Sequence, residues 1–239
     1  MSTRFYHPTP IAAERVTLDG PEAHHLLHVG RAAVGQGVTL FDGSGGEFAA
    51  VVEKLGRSTI ELRVVERIEA DRELPFTLTI GVALPKNDRQ KWLVEKLTEL
   101  GVTTLVPLVT ERGVAQPAAG TLDRLRRSVI EASKQCGRNR LLQIAAPQTW
   151  AVWIADAPDA TYERRFLAHP SGLPLSDSVL SARQPTRLAI GPEGGFTDAE
   201  VAAATAAGWQ TVALGPRTLR VETAAVTLSA VVVARLAGP

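Results

Sequence analysis

One stretch constrains the fold more than any other: Leu188-Ala-Ile-Gly-Pro-Glu-Gly-Gly-Phe-Thr-Asp-Ala-Glu200. Its apolar start reads as a strand ending at Gly191, and Thr197 followed by Glu200 has the pattern of a capping box that opens a helix. Between them, Gly194 and Gly195 remove side chains where the backbone meets whatever lies at the carboxyl end of the strand. In open α/β sheets that is where ligands bind. The glycine spacing fits neither G-x-G-x-x-G nor a P-loop, and no G-K-[ST] follows. Glu193 opposes a phosphate in this turn and favours a hydroxyl-rich or cationic ligand. A tight strand-to-helix turn that uses Gly and Pro for geometry alone accounts for these residues equally well.

Leu214-Gly-Pro-Arg-Thr-Leu-Arg-Val-Glu-Thr-Ala224 also leaves a strand and enters a helix. It brings Arg217, Arg220, Glu222 and Thr223 to the same end of the sheet. Two such exits, at Gly191 and Gly215, describe a pocket built from backbone amides and carbonyls. Thr223 or Glu222 alone is an ordinary first-turn helix residue; the set is harder to explain in that way.

From Arg72 onward, strand-like runs (residues 76–83, 103–109, 165–168, 187–190 and 210–214) alternate with helix-like ones. That alternation indicates an open α/β domain with a mainly parallel sheet. The helix expected over 88–100 places Trp92, Leu93, Leu97 and Leu100 on one stripe, and that over 121–134 turns Leu122, Leu125, Val129 and Ser133 inward. Residues 222–236 are apolar nearly all round, so this helix is buried within the domain or against a partner. The first seventy residues read instead as β. Residues 38–41 and 48–52 flank Asp42-Gly43-Ser44-Gly45-Gly46, a hairpin loop, and in 58–65 Ile60, Leu62 and Val64 alternate with Glu61 and Arg63. A short helix at 21–28 has Pro21 in its first turn. The two styles part near 68–75, at Glu69, Asp71, Arg72 and Glu73.

The 239 residues carry 26 Lys and Arg against 25 Asp and Glu, a net charge of +1, with ordinary globular composition. The basic charge is uneven. Residues 71–150 are net +4, and Arg112, Arg124, Arg126, Arg127, Lys134, Arg138 and Arg140 face only three acidic residues between positions 111 and 140. Such a surface suits a polyanion such as RNA, although a solvated helix face has the same composition. The lone Cys136 excludes an internal disulfide. No apolar run reaches the ~18 residues of a membrane span, and the first ten residues lack the apolar core of a secretory signal. A soluble, cytoplasmic protein with no membrane contact is expected. His24 and His28 have metal-like spacing, but no local carboxylate or cysteine completes a site, so no metal is expected.

GPEGGF followed by LGPRTLRVETA resembles the cofactor-binding loops of the SPOUT methyltransferases. RFY at Arg4, HHLLHVGR ending at Arg31, LPKNDRQKWLVEKLTELGV from Leu84, ERGV at Glu111 and EASKQCGRNR from Glu131 narrow the resemblance to the 16S ribosomal RNA uracil-N3 methyltransferase family (RsmE). Gly30 departs from that pattern, in which a bulkier apolar residue precedes the arginine. The resemblance implies a PUA-like RNA-binding β-barrel over residues 1–71 and a SPOUT methyltransferase domain over 72–239. The latter would be an open parallel α/β sheet tied in a trefoil knot, a feature that sequence physics alone would not suggest. It also implies S-adenosylmethionine as methyl donor, a homodimer, and 16S rRNA or the small ribosomal subunit as partner. Carried over by position, the cofactor site comprises Leu167, Ala168, His169, Ile190, Gly191, Pro192, Glu193, Gly194, Gly195, Leu214, Gly215, Leu219, Arg220, Thr223 and Ala224. Arg4, Arg31, Lys86, Arg112, Arg138 and Arg140 are the candidate RNA contacts.

The implied methyl acceptor, N3 of uracil, lies on the Watson–Crick edge, so the base must be unpaired or extruded. Loss of its proton leaves negative charge spread over O2 and O4, which arginine or backbone donors would stabilise as an oxyanion hole does. Arg220 is the candidate for that role. Glu222 and Glu193 are the nearby carboxylates. A non-catalytic RNA-binding ribosome-assembly factor is the alternative, and it would have no need of the glycine-lined pocket.

Overall fold

The computed structural model describes residues 4–113, 119–155, 163–175 and 184–236. The chain divides into two compact units: residues 1–73 with 130–141, and residues 74–129 with 142–239.

The first unit is built on a five-stranded sheet. Its strands are β1 (Arg4–Tyr6), β2 (Arg15–Leu18), β3 (Gly37–Phe41), β4 (Glu47–Leu55) and β5 (Ile60–Ile68), in the order β1-β3-β4-β5-β2. The pairings are antiparallel except β1 with β3. The expected barrel is thus a half-barrel, with β1 and β2 as its edges. The period-2 alternation holds in β5, where Ile60 and Leu62 are fully buried and Glu61 is exposed. Leu18, Leu26, Leu40, Phe48 and Val52 complete this core. Helix α1 (Gly20–His24) continues into a π-helical turn over His25–Val29, closed by the Gly30 amide on the His25 carbonyl. His24 and His28 are exposed, with their rings 4.5 Å apart.

The second unit is a parallel sheet: β6 (Leu78–Val82), β7 (Thr104–Val109), β8 (Gln143–Ile144), β10 (Arg164–Pro174), β11 (Thr186–Ile190) and β12 (Gln210–Ala213), ordered β12-β10-β11-β6-β7-β8, with β9 (Gln148–Thr149) beside β7. Helices α2 (Arg89–Glu99), α4 (Trp150–Ala155), α5 (Asp198–Ala206) and α6 (Val221–Leu236) belong to it, and α3 (Ala119–Cys136) begins there. On α2 the buried stripe is Leu93, Val94, Leu97 and Thr98. Trp92, expected on that stripe, is 43% exposed instead. Val94 and Thr98 complete the face that Leu93 and Leu97 begin, leaving Trp92 about 100° round the helix from Leu93. Helix α6 packs on α2, β6 and β11, burying Ala225, Leu228 and Val232 completely. Leu228 and Val232 each contribute roughly 1.5–3 kcal/mol relative to exposure. Because these strands are parallel, β6, β7, β10, β11 and β12 all end at one rim.

Candidate active site

Strand β11 delivers Gly191 to that rim. The Gly195 amide bonds the Pro192 carbonyl at 2.8 Å, and Gly195 takes φ +69°, a conformation few residues other than glycine adopt. The chain then enters α5 through the expected capping box. The Thr197 hydroxyl accepts from the Glu200 amide at 3.2 Å, and the Thr197 amide donates to Glu200 Oε2 at 2.9 Å. The other Glu200 oxygen accepts the Glu111 amide at 2.9 Å. That carboxylate therefore ties the β7 exit to the glycine turn, a link no local motif reveals. Arg112 follows, donating from Nη1 to the Gly194 carbonyl at 3.0 Å.

Strand β12 delivers the second exit, where Gly215 has φ +98°. Strand β10 supplies a third wall. It runs past the expected end at Ala168, and its pairing with β12 shifts register between Ala168 and Leu173, which displaces His169 and Pro170 from the ladder. His169 Nδ1 lies 2.8 Å from the Ser171 hydroxyl.

These exits enclose a cavity of about 460 Å³. Among the residues anticipated from sequence, Ala168, His169, Ile190, Gly191, Pro192, Glu193, Gly194, Gly195, Leu214, Gly215, Leu219 and Ala224 border it. Leu167, Arg220 and Thr223 are not on its wall. Leu167 is fully buried among Trp150, Phe196 and Ala189, because alternation along β10 sends it to the opposite face from Ala168. Arg220 and Thr223 are exposed at the head of α6. Glu222 is buried beside Arg89. The wall also holds Arg112, Phe196, Asp198, Arg217 and Thr218. All but Arg112 lie inside the two signature stretches, where proximity to the glycines was the available signal. Arg112 is brought in by β7, which no local pattern links to β11.

The wall combines apolar Ile190, Leu214, Leu219 and Val221 with acidic Glu193 and Asp198. A cavity of this size with few polar groups is ordinary for a small ligand. An added Cβ at Gly195 would meet no atom within 4 Å, so that turn leaves open space beside its backbone. This chemistry fits a nucleoside bearing a sulfonium: apolar walls for a base, carboxylates for hydroxyls and positive charge.

A family model described as an RNA methyltransferase domain matches residues 72–233, and one described as an RNA methyltransferase PUA domain matches 18–65. A ribosomal RNA small subunit methyltransferase E from Synechocystis is 36% identical, over 91% of this chain and 72% of the relative. The chain belongs to the ribosomal RNA small subunit methyltransferase E family. A Neisseria gonorrhoeae member of that name, solved bound to S-adenosyl methionine, superposes with TM-score 0.85 at 30% identity, covering 95% of each chain. A methyltransferase structure from Legionella pneumophila, in complex with the bound cofactor SAM, gives TM-score 0.89 at 29% identity over 97% of each chain. The family assignment makes this protein an RNA methyltransferase with an N-terminal PUA domain.

The candidate RNA contacts divide into two groups. Arg31, Lys86, Arg112 and Arg140 are exposed. Arg4 and Arg138 are engaged inside the first unit. Arg4 pairs with Glu47 at 2.5 Å and donates to Asn139 Oδ1 at 2.7 Å, while Arg138 takes Glu73 through Nη2 at 2.6 Å and Nε at 3.2 Å. Lys134 is likewise buried on Glu22 at 3.0 Å. The basic run of 111–140 is therefore only partly surface. Among the described residues, no group of three or more His, Cys, Asp or Glu is placed to hold a metal. No helix among them is long and apolar enough to cross a membrane.

Proposed function

We propose that this protein transfers a methyl group from S-adenosylmethionine to N3 of a uridine in 16S rRNA, in the cytoplasm and as a homodimer. The observation that carries the reading is the cavity at the sheet rim, with glycine turns for walls and Glu193 and Asp198 facing it. When bound, the cofactor supplies a methyl group already activated by its sulfonium. Residues 190–195 and 214–219 would hold it through backbone groups, and Glu193 and Asp198 would offset its positive charge. A non-catalytic RNA-binding factor would have no use for this cavity.

The chain's own work is then orientation and charge stabilisation. Arg220, exposed at the head of α6, donates to uracil O2 or O4 as the N3 proton departs, in the manner of an oxyanion-hole donor. Glu193 and Glu222 are the two carboxylates at these exits, and either can receive that proton. Exposed Arg31, Lys86, Arg112 and Arg140 supply phosphate contacts, whereas Arg4 and Arg138 are engaged by Glu47 and Glu73 within the first unit. The partly exposed apolar residues Val226, Val231 and Val233 of α6 suit a second copy of the chain. Helix α6 follows the edge strand β12 and packs on α2, β6 and β11, and the trefoil knot is part of the proposed fold.

Mass-spectrometric mapping of methylated uridines in ribosomal RNA from cells lacking the protein tests this reading. One N3-methyluridine should disappear from the 16S rRNA and return on complementation. An unchanged N3-methyluridine content would refute it.

A further inference from the structure

Helix α2 begins with a cation. Arg89 is its first residue, no acidic side chain lies in its first turn, and Asp88 makes no side-chain cap. A positive charge at a helix N-terminus opposes the helix dipole, so Arg89 contributes nothing favourable to α2 by its position. The turn before it is firmly built: Asn87 sits at φ +58°, and the Gln90 side chain donates to the Pro85 carbonyl at 2.7 Å. This start of α2 aims the guanidinium at two carboxylates from different elements. Nη2 is 3.6 Å from Glu193 Oε1 in the β11 exit, and Nη1 is 3.7 Å from Glu222 Oε2 at the head of α6.

Glu222 is only 6% exposed, and its Oε2 has no hydrogen-bond partner. A buried carboxylate oxygen without a donor is costly, and such groups gather where structure serves function. Both approaches to Arg89 exceed the ~3.2 Å limit of an N–H···O hydrogen bond. The guanidinium therefore stands between the two exits with two charge-assisted bonds not yet formed.

We propose that Arg89 is a positioning residue of the cofactor site, linking the Glu193 turn to the head of α6 so that filling the cavity closes both carboxylates onto its guanidinium. Arg89 is not on the cavity wall and acts through Glu193 and Glu222. A planar guanidinium can serve two carboxylates at once, and a lysine ammonium does so with less geometric definition. The proposal rests on the cofactor reading above.

Calorimetric titration of S-adenosylmethionine into the full-length protein and into R89Q, R89K, E193Q and R89Q/E193Q tests it, with RNA affinity measured alongside. R89Q should weaken cofactor binding by about fivefold or more, in the range of ordinary site-to-site coupling. R89K should recover part of that loss. The losses in the double variant should be less than additive, since the Arg89–Glu193 pair is lost only once while the Arg89–Glu222 link and the Glu193 charge facing the cofactor are lost separately; RNA affinity should hold. R89K keeps the positive charge at the head of α2 and keeps the test readable if R89Q folds poorly, since it should still bind the cofactor more weakly than wild type. Wild-type cofactor affinity in R89Q, strictly additive losses, or a loss confined to RNA binding would overturn the role. A wild-type protein that takes up no S-adenosylmethionine would instead bring down the cofactor reading itself.

Discussion

In the first unit, Arg4, Arg72 and Arg138 sit within 2.5–2.8 Å of Glu47 or Glu73, with both carboxylates largely buried. At the rim of the second unit, Arg89 stands 3.6 and 3.7 Å from its two carboxylates, and Arg112 donates to the Gly194 carbonyl. The same residue type thus makes closed pairs in one region and open ones in the other. Closed pairs fix a fold, because removing one partner strands a buried charge. Open pairs leave donors and acceptors available to a ligand.

Substitutions can break this contrast. The largest effect is expected at Arg138, whose two nitrogens engage Glu73 with the side chain only 5% exposed. Arg138→Ala should cost about 3–5 kcal/mol of stability in denaturant titration, as loss of one partner of a buried pair does. A loss below about 1 kcal/mol would class Arg138 with the surface pairs. Arg220 should show the reverse. Arg220→Ala is expected to lower turnover by about 10²–10³ while leaving the denaturation midpoint in place; wild-type turnover on intact RNA would remove its assigned role. Gly195→Ala places a Cβ in open space but at φ +69°. It should cost about 1–2 kcal/mol from backbone strain, seen as a weaker cofactor titration or a lower melting temperature. Thr197→Ala removes the hydroxyl half of the α5 capping box and should cost about 1 kcal/mol in thermal unfolding.

The smallest effect is a pH dependence. Burial alone would raise the Glu47 carboxyl, but hydrogen bonds and charge from Arg72 and Arg4 outweigh it and hold the group below its ordinary 4.5. A carboxyl depressed in the folded state contributes its stability in full above the unfolded value. That contribution drains away as pH falls through the folded value. Glu47→Gln should therefore flatten the acid limb of the stability profile below pH 4.5. An acid limb as steep as that of wild type would show that the pair is not the source.

The parallel α/β layout was legible because β11 ends in an apolar run, α2 carries an apolar stripe and α6 is apolar nearly all round, and the Thr197–Glu200 cap was written in four residues. Short strands escaped. Arg4–Tyr6 and Arg15–Leu18 are too brief to show alternation, and they exist by pairing with β3 and β5. Charge was the harder problem. Arg138 and Arg140 stand two apart in one basic run, yet one is buried and the other exposed. What separates them is Glu73, 65 residues away in sequence, which no local pattern connects to Arg138. The cavity shows the same division. Its glycine exits were visible as motifs, whereas the Glu111–Glu200 link and the arrival of Arg112 depend on β7 and β11 reaching the same rim of one parallel sheet.

The proposed reaction requires that the rim cavity bind a sulfonium nucleoside as methyl donor. Equilibrium dialysis of labelled S-adenosylmethionine against the intact protein addresses it most directly, with S-adenosylhomocysteine and NAD as competitors. Saturable uptake that S-adenosylhomocysteine displaces and NAD does not is the expected result. Absence of uptake, or displacement by NAD, would contradict it.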